Sequence, residues 1–223
     1  MNIGALIPAY NEARHIADVV ERALRRTKAV YVVDDGSTDD TGARAVAAGA
    51  ALVARAKNGG KGQALRDGLE RCFADGLDAV VCLDGDGQHL PEEIDVFRAA
   101  AEAGGADLAV GNRMDAAADM PFVRRTTNRF TSWVLGRLCR GRARVVDTQC
   151  GFRLVSRRCW EGIEIRGRNF EFEGEMIVAA ARAGFTVVNV PVTTVYGDEK
   201  SNIRPVLDTI RFFRMVYRLW RRE

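Results

Sequence analysis

The chain has 223 residues, of which 47% are hydrophobic and 28% are charged, and its formal net charge is +3. This composition excludes a disordered chain, and so small a charge argues against a general nucleic-acid-binding surface, so no nucleic-acid partner is expected. Five cysteines without a CxxC pair predict neither a zinc site nor a disulfide framework, which favours the reducing cytoplasm.

Strand-like and helix-like patterns alternate along the first half of the chain. Strands are predicted at 3–8, 29–35, 50–55, 78–84 and 106–113, and helices at 11–26, 37–49, 60–76 and 91–103. Strands separated by helices indicate a mostly parallel sheet with right-handed crossovers, the α/β class. The N-terminus does not resemble a signal peptide, and no apolar stretch approaches the roughly 20 residues that span a bilayer.

The regular alternation of predicted strands and helices ends at about residue 114. A loop at 114–126 that could close over bound substrates leads into a helix at 124–138. A strand-like segment (145–156), a helix (170–184), two short strands split by Pro191 (185–196) and a long amphipathic helix follow. We expect one domain, 1–223, made of a first half (1–113), a second half (114–200) and the basic helix (201–223).

Acidic residues follow two of the predicted strands. Asp34 and Asp35 end the second strand, and Asp84 and Asp86 end the fourth, at the edge where open parallel sheets bind ligands. Carboxylates this close repel one another unless a cation lies between them. Mg²⁺ or Mn²⁺ would remove the repulsion, because such ions prefer carboxylate and phosphate oxygens.

The glycines of this acidic segment suit a phosphate ligand. Gly85 and Gly87 allow a diphosphate to approach the backbone, and Gln88 offers a further oxygen ligand. Aspartate–glycine steps are also typical of plain turns. The position directly after a buried strand, facing a second acidic strand end, favours the metal. The neighbouring His89 could contact the diphosphate, but a surface turn is the favoured interpretation.

Several motifs in this order resemble the family 2 glycosyltransferases. They are LIPAYNE (6–12), VVDDGSTDDT (32–41), GGKGQALRDG (59–68) and LDGDGQHLPEEI (83–94). The downstream segments VGNRM, RRTTNRF, DTQCGFRLVS and FEFEGEM are similar to the branch that contains dolichyl-phosphate mannose synthase and other polyprenyl-phosphate sugar transferases. The resemblance implies a nucleotide-diphospho-sugar transferase (GT-A type) fold and inverting hexose transfer from a UDP- or GDP-sugar to a polyprenyl phosphate.

The resemblance also implies roles for individual residues. Those on the nucleotide side are Pro8, Tyr10, Glu12, Asp35 and Lys61, and those that hold the metal and diphosphate are Asp84, Asp86 and Gln88. Each has a structural alternative, such as a strand end, a helix first turn or a solvated charge. Asp86 and Arg113 are the expected catalytic residues.

A phosphate acceptor is already an anion and needs cations to hold it, whereas a hydroxyl acceptor needs a general base. The implied acceptor-binding residues are Arg113, Arg124, Arg125, Asp147, Gln149 and Lys200. Lys200 precedes Ser201, whereas in many relatives the lysine follows the serine. If the acceptor were a hydroxyl, Glu173 or Glu175 could be the base; otherwise both suit a helix N-terminus.

The last predicted helix mixes aromatic and apolar residues with arginines, which is typical of a helix at a membrane interface. We expect a peripheral protein at the cytoplasmic face of the membrane, where a polyprenyl phosphate resides. The same helix could instead pack against the domain or a partner in a homodimer. Two further functional alternatives are a glycosyltransferase that acts on a glycan, lipid or small-molecule hydroxyl, and a non-catalytic membrane-surface binding module.

Overall fold

The computed structural model describes residues 1–114, 122–193, 195 and 205–221. Its strands are β1 (Ile3–Ala9), β2 (Val30–Asp34), β3 (Ala51–Ala54), β4 (Ala79–Cys82), β5 (Leu108–Asn112), β6 (Arg153–Ser156) and β7 (Val187–Pro191). Its helices are α1 (Ile16–Leu24), α2 (Thr41–Ala47), α3 (Lys61–Ala74), α4 (Ile94–Glu102), α5 (Phe122–Leu138), α6 (Arg157–Glu161), α7 (Glu171–Arg182) and α8 (Pro205–Arg221).

The seven strands form one sheet in the order β3-β2-β1-β4-β6-β5-β7. Pairing is parallel except for β6, which runs antiparallel between β4 and β5. The predicted mostly parallel α/β sheet is therefore confirmed. Strands from both halves of the sequence share this sheet, so the ends of β4 and β5 lie on either side of a strand from the second half.

The core consists of one apolar layer on each face of the sheet. Residues alternate along β1, so that Leu6 joins one layer while Ala5 and Ile7 join the other. The Leu6 layer packs against α3, α5, α7 and α8, and the opposite layer packs against α1, α2 and α4. This three-layer arrangement leaves the ends of the strands as the place where polar residues gather.

The predicted helix at 11–26 begins later than expected, at Ile16. Asn11 has a positive φ of 58°, which a right-handed helix does not allow. Its side chain accepts a hydrogen bond from the backbone N–H of Thr38, and its own N–H donates to Ser37. The segment after β1 is therefore a turn joined to the loop after β2.

Two strand predictions in the second half were too long. Only 153–156 of the predicted 145–156 strand is extended and paired, because the backbone N–H groups of Val146 and Thr148 donate to the side chains of Asn189 and Ser132 instead. The predicted pair of strands at 185–196 is one strand that ends at Pro191; residues 192, 193 and 195 are not in a strand, and 194 and 196 lie outside the described residues. Proline fits there, because β7 is an edge strand.

No helix in the described ranges combines the length and the apolarity needed to cross a membrane.

Candidate active site

The turn after β4 carries the two predicted metal-binding aspartates. Gly87 adopts a φ of +76°, a conformation that favours glycine. Asp86 Oδ1 accepts a hydrogen bond from the backbone N–H of Gln88 at 3.0 Å, which fixes the turn. Asp84, Asp86 and Gln88 are all half-buried and follow the end of β4.

Lys61 brings a positive charge to the first of these carboxylates. It is the first residue of α3, and its Nζ lies 2.6 Å from Asp84 Oδ1 and 3.4 Å from Glu173 Oε1. Burial alone would lower the pKa of Lys61, but Asp84 and Glu173 outweigh it and raise that pKa. Burial alone would likewise raise the pKa of Asp84, but Lys61, with His89 and Arg113, lowers it below its ordinary value. Both groups are therefore charged at neutral pH.

Arg153 lies beneath this charge pair. It is 2% exposed, and its guanidinium donates to the carbonyl oxygens of Cys150 at 2.8 Å, Thr148 at 2.8 Å and Glu173 at 2.5 Å. These bonds fasten the segment before β6 to the start of α7. Glu173 Oε1 also lies 3.8 Å from Arg153 Nε, so the Glu173 carboxylate is engaged by two cations.

His89 is buried, so the expected surface turn was wrong. It is 3% exposed, its ring stacks on Phe152 at 5.1 Å between centroids, and its Nδ1 accepts a hydrogen bond from the backbone N–H of Asp84. Burial lowers the pKa of His89 to about 4 against the opposing charge of Asp84. The neutral ring thus holds the backbone from which the first carboxylate projects.

The residues present fit a hard divalent ion. The described part of the chain contains no cluster of three or more acidic, histidine or cysteine side chains that could hold a metal. Mg²⁺-type sites are built from one or two carboxylates together with substrate phosphates, and Asp84, Asp86 and Gln88 match that donor set. Gly151 keeps the space beside Asp84 clear, because a Cβ atom there would lie 2.6 Å from Asp84 Oδ2 and 2.8 Å from Lys61 Nζ.

The second acidic strand end is used differently from the first. Asp35 is buried, and it accepts hydrogen bonds from the backbone N–H groups of Gly59 and Gly60, both at 2.9 Å, and from Arg55 at 2.6 Å. In this structure Asp35 therefore anchors the glycine loop that leads into Lys61. Its predicted contact with the base or ribose stays a prediction.

The loop after β1 borders the same edge of the sheet. Pro8 is half-buried in β1, and Tyr10, directly after the strand, is 37% exposed. The backbone N–H of Glu12 donates to Thr41 Oγ1 at 2.8 Å, which ties this loop to the start of α2. These positions are compatible with a nucleotide lying across the ends of β1 and β2.

A second polar cluster joins the end of β5 to α5. Arg113 donates from Nε to Asp147 Oδ2 at 2.7 Å and from Nη2 to Asp147 Oδ1 at 2.9 Å. Asn128 of α5 also donates to Asp147 Oδ1, at 2.7 Å, and both Asn128 and Asp147 are fully buried. Burial alone would raise the pKa of Asp147, but Arg113 and Asn128 outweigh it and lower that pKa. Asp147 thus orients Arg113 and is too deeply buried for the direct contact with the acceptor that the resemblance implies.

The remaining predicted acceptor residues surround this cluster. Gln149 is exposed, and its amide donates to Thr131 of α5 at 3.4 Å. Arg124 and Arg125 lie half-buried in the first turn of α5, with the Arg125 guanidinium 5.8 Å from the centre of the Phe122 ring. Lys200 and residues 115–121 of the predicted closing loop lie outside the described residues.

Glu173 and Glu175 point to different places, although both begin α7. Glu175 Oε2 accepts hydrogen bonds from the backbone N–H of Gly167 at 2.8 Å and from Arg218 of α8 at 2.5 Å. Glu175 is fully buried. It is therefore an anchor for α8, and of the two predicted candidates for a general base only Glu173 lies beside the carboxylates of β4.

Comparison with known proteins agrees with this arrangement. The model of the family described as glycosyl transferase family 2 matches residues 5–161, which include both acidic strand ends, Lys61 and Asp147. The chain belongs to glycosyl transferase family 2. The resemblance predicted from the motifs is thereby confirmed, and the chain is a glycosyltransferase.

The relatives cover most of the chain. A polyprenol monophosphomannose synthase of Mycolicibacterium smegmatis is 31% identical over 206 residues, which are 84% of this chain and 75% of that protein. A UDP-N-acetylglucosamine–dolichyl-phosphate N-acetylglucosaminyltransferase of Methanococcus voltae is 26% identical, over 96% of this chain and 93% of that protein. Their names agree with the branch that the downstream motifs indicate.

Solved structures support the fold. Glucosyl-3-phosphoglycerate synthase of Mycobacterium tuberculosis, in complex with Mn²⁺, UDP-glucose and phosphoglyceric acid, matches with a TM-score of 0.71 at 22% identity, over 98% of this chain and 78% of that chain. The predicted GT-A type fold is confirmed.

Asn128 and Arg153 belong to the site, although the motifs of the sequence do not single them out. Arg153 carried a usable signal, since a charged residue within the apolar run FRLVS requires buried partners. Asn128 carried none, because an asparagine in a polar helix segment is unremarkable until Asp147 is brought to it.

Proposed function

We propose that this protein moves a hexose from a nucleoside-diphosphate sugar to a polyprenyl phosphate, with inversion at the anomeric carbon and with Mg²⁺ or Mn²⁺. An oxygen of the acceptor phosphate forms the new bond to the anomeric carbon while the bond from that carbon to the diphosphate breaks. The products are a glycosyl polyprenyl phosphate and the nucleoside diphosphate. No proton needs to be removed, because the acceptor is an anion.

On the donor side, Asp84, Asp86 and Gln88 hold the divalent ion. When bound, the ion neutralises the charge that the diphosphate gains as it leaves. Lys61 adds a positive charge beside it, and the glycines of the β4 turn admit the diphosphate to the backbone. Pro8, Tyr10, Glu12 and Asp35 frame the base and ribose.

On the acceptor side, Arg113 receives the phosphate, with Arg124 or Arg125 as a second cation. One observation supports a phosphate acceptor over a hydroxyl acceptor. Arg113 is held in place by Asp147, whereas both candidate general bases, Glu173 and Glu175, are already paired with cations. Asp147 pre-organises the arginine fork, which suits phosphate recognition. A hydroxyl acceptor would need a base, whereas Glu175 is bound to Arg218 and Glu173 lies 3.4 Å from Lys61. The names of the polyprenol and dolichyl-phosphate relatives point the same way.

Two helices support a membrane surface as the place of reaction. The exposed large apolar residues of the described chain concentrate on α5 and α8, which contact each other. They are Phe122, Val123, Phe130 and Trp133 on α5, and Leu207, Ile210, Phe213, Tyr217 and Trp220 on α8. Both helices also carry several arginines, and basic helices with exposed aromatic residues favour anionic interfaces. This extends the predicted C-terminal helix surface to α5 and suits a peripheral position at the cytoplasmic leaflet.

A panel of nucleotide sugars with Mn²⁺ and a short polyprenyl phosphate tests the proposal, with release of nucleoside diphosphate as the readout. We expect one UDP- or GDP-hexose to be consumed only when the phosphate acceptor is present. Glu173→Gln should leave part of this activity if the acceptor is a phosphate, whereas loss of a general base should abolish it. Consumption with the matching polyprenol, but not its phosphate, would support the hydroxyl alternative. No consumption of any donor, together with vesicle binding, would support a non-catalytic binding module.

A further inference from the structure

The ion pair between Lys61 and Asp84 occupies one of the two carboxylates that the proposed function gives to the metal. Lys61 Nζ lies 2.6 Å from Asp84 Oδ1, which is a close contact. The backbone at Lys61 is fixed on both sides. The N–H of Gly60 is held by Asp35, and a Cβ atom at Gly62 would lie 2.5 Å from the carbonyl oxygen of Asn169. A shift of the ammonium group away from Asp84 therefore needs a rotation of the Lys61 side chain and no movement of its backbone.

An ammonium group at this distance competes with a divalent ion. Two cations that share one carboxylate repel each other strongly near a protein surface, where the effective dielectric is far below that of water. Gly151 lies directly beside both groups and has no Cβ atom, so the space next to the pair stays open for an incoming ion. Before a diphosphate adds its negative charge, a divalent ion that uses Asp84 must therefore compete with Lys61 for that carboxylate.

Glu173 offers Lys61 a second position. Its Oε1 lies 3.4 Å from Lys61 Nζ, and this oxygen is buried and accepts no hydrogen bond from any residue that the structure describes. Glu173 is 6% exposed, so water compensates it poorly, and its other cationic neighbour, Arg153, has its Nε 3.8 Å from the same oxygen. A small rotation of the lysine side chain would move the ammonium from Asp84 toward Glu173 and toward an incoming phosphate.

We propose that Lys61 is an internal counter-cation, which holds Asp84 until the donor arrives, so that the divalent ion and the nucleotide diphosphate bind together. The inference rests on the proposed metal-dependent donor site. The diphosphate supplies the negative charge that stabilises both cations at once, and Glu173 holds Lys61 away from Asp84. Free metal alone binds weakly, which makes the affinity for Mn²⁺ depend on the nucleotide.

The test measures Mn²⁺ binding by the electron paramagnetic resonance signal of the free ion, with and without UDP or GDP and without turnover. In Lys61→Met without nucleotide, we expect the dissociation constant for Mn²⁺ to fall about tenfold or more. This change corresponds to only part of the electrostatic repulsion between an ammonium group and a divalent ion that share one carboxylate. Lys61→Arg keeps the charge and should stay close to the wild-type protein. Lys57→Met removes one exposed charge from the same loop and should also change little.

A second variant covers the case in which Lys61→Met does not fold, as judged by circular dichroism. Glu173→Gln removes the second position, so Lys61 should stay on Asp84 and the gain in Mn²⁺ affinity on adding the nucleotide should fall several-fold. Equal Mn²⁺ affinity in Lys61→Met and wild type, or an unchanged gain in Glu173→Gln, would overturn the inference while leaving the proposed function intact. If the wild-type protein binds no Mn²⁺ even with UDP or GDP, the metal site of the proposed function fails as well.

Discussion

Asp147 holds Arg113 by two parallel hydrogen bonds of 2.7 and 2.9 Å, and its carboxylate is completely buried. The two residues are 34 positions apart in the sequence, and the pair joins the end of β5 to the segment before β6. Asn128 adds a third bond from α5. The orientation of the proposed acceptor arginine therefore depends on two residues that need not touch the acceptor.

Asp147→Asn should weaken both folding and acceptor binding. Removing one partner of a buried ion pair leaves an uncompensated charge and lowers the free energy of unfolding by about 3–5 kcal/mol. We expect a loss no larger than this, because the asparagine amide keeps part of the hydrogen bonding. We expect a lower free energy of unfolding in urea and a higher KM for the polyprenyl phosphate, with a smaller change in KM for the donor. Asp18→Asn is the matched control, because its pair with Arg22 is exposed and should contribute only about 0.3–0.5 kcal/mol. Equal effects on both KM values would contradict the role given to Asp147.

The same pair predicts a pH dependence of stability. Because Arg113 and Asn128 lower the pKa of Asp147 below the ordinary value of about 3.9, the pair stabilises the fold above that pH. The contribution is lost as the pH falls through the lowered pKa. The difference in unfolding free energy between the wild type and Asp147→Asn should therefore be constant from pH 7 to about 5 and shrink below about 4. Urea denaturation across this range measures it, and a difference that grows toward acid pH would count against the assignment.

The carboxylate site could be predicted because it depends only on a short sequence motif and on the parallel arrangement of the strands. Asp84 and Asp86 follow a buried apolar strand, and parallel strands deliver their C-terminal ends to one edge. The antiparallel insertion of β6 could not be predicted, since strand direction depends on how the preceding segment returns to the sheet. The path of the chain into β6 is held by hydrogen bonds from Arg153 to three carbonyl oxygens. The periodicity of the local sequence gives no sign of these contacts.

The burial of individual polar residues could not be predicted from the sequence either. His89 follows a glycine-rich turn and carries no sequence sign of burial, yet it stacks on Phe152, which lies 63 positions later. The roles of Glu173 and Glu175 were equivalent in the sequence and became distinct only when Lys61 and Arg218 were placed. Local patterns predict which elements form, whereas long-range pairing decides what each charge does.

Gly151→Ala should disturb the site while leaving the fold intact. The new Cβ atom would lie 2.6 Å from Asp84 Oδ2, so the short aspartate side chain must move. We expect metal-dependent binding of the nucleoside diphosphate to weaken at least about tenfold, since even 1.4 kcal/mol has that effect. Titration calorimetry with UDP and GDP measures it.

Gly136→Ala provides the control, because nothing lies within 4 Å of the Cβ position there. Gly136 lies within α5, where alanine should stabilise the helix by about 0.5–1 kcal/mol. Nucleotide binding should be unchanged. If Gly151→Ala bound the nucleotide and metal as well as Gly136→Ala does, the space beside Asp84 would have no part in the site.

Membrane binding should depend on the exposed aromatic faces of α5 and α8. The double variants Phe130→Ser/Trp133→Ser and Phe213→Ser/Trp220→Ser remove side chains that are 48–65% exposed, so the fold should tolerate them. Sedimentation with vesicles that contain anionic lipid should show less bound protein for both, because interfacial binding scales with buried apolar area. Val46→Ser/Val96→Ser removes exposed apolar residues elsewhere and should bind like the wild type. Equal loss in this control would argue against a specific interface.

The most direct test of the account is titration calorimetry of UDP and GDP against the wild-type protein and Asp86→Asn, with Mn²⁺ or after chelation. Asp84 and Asp86 are proposed to hold the ion that binds the donor's diphosphate, so one nucleotide should bind with Mn²⁺ and lose at least about tenfold in affinity after chelation. Asp86→Asn should bind weakly under both conditions. Equal affinity with and without the metal, or an unaffected Asp86→Asn, would contradict the claim.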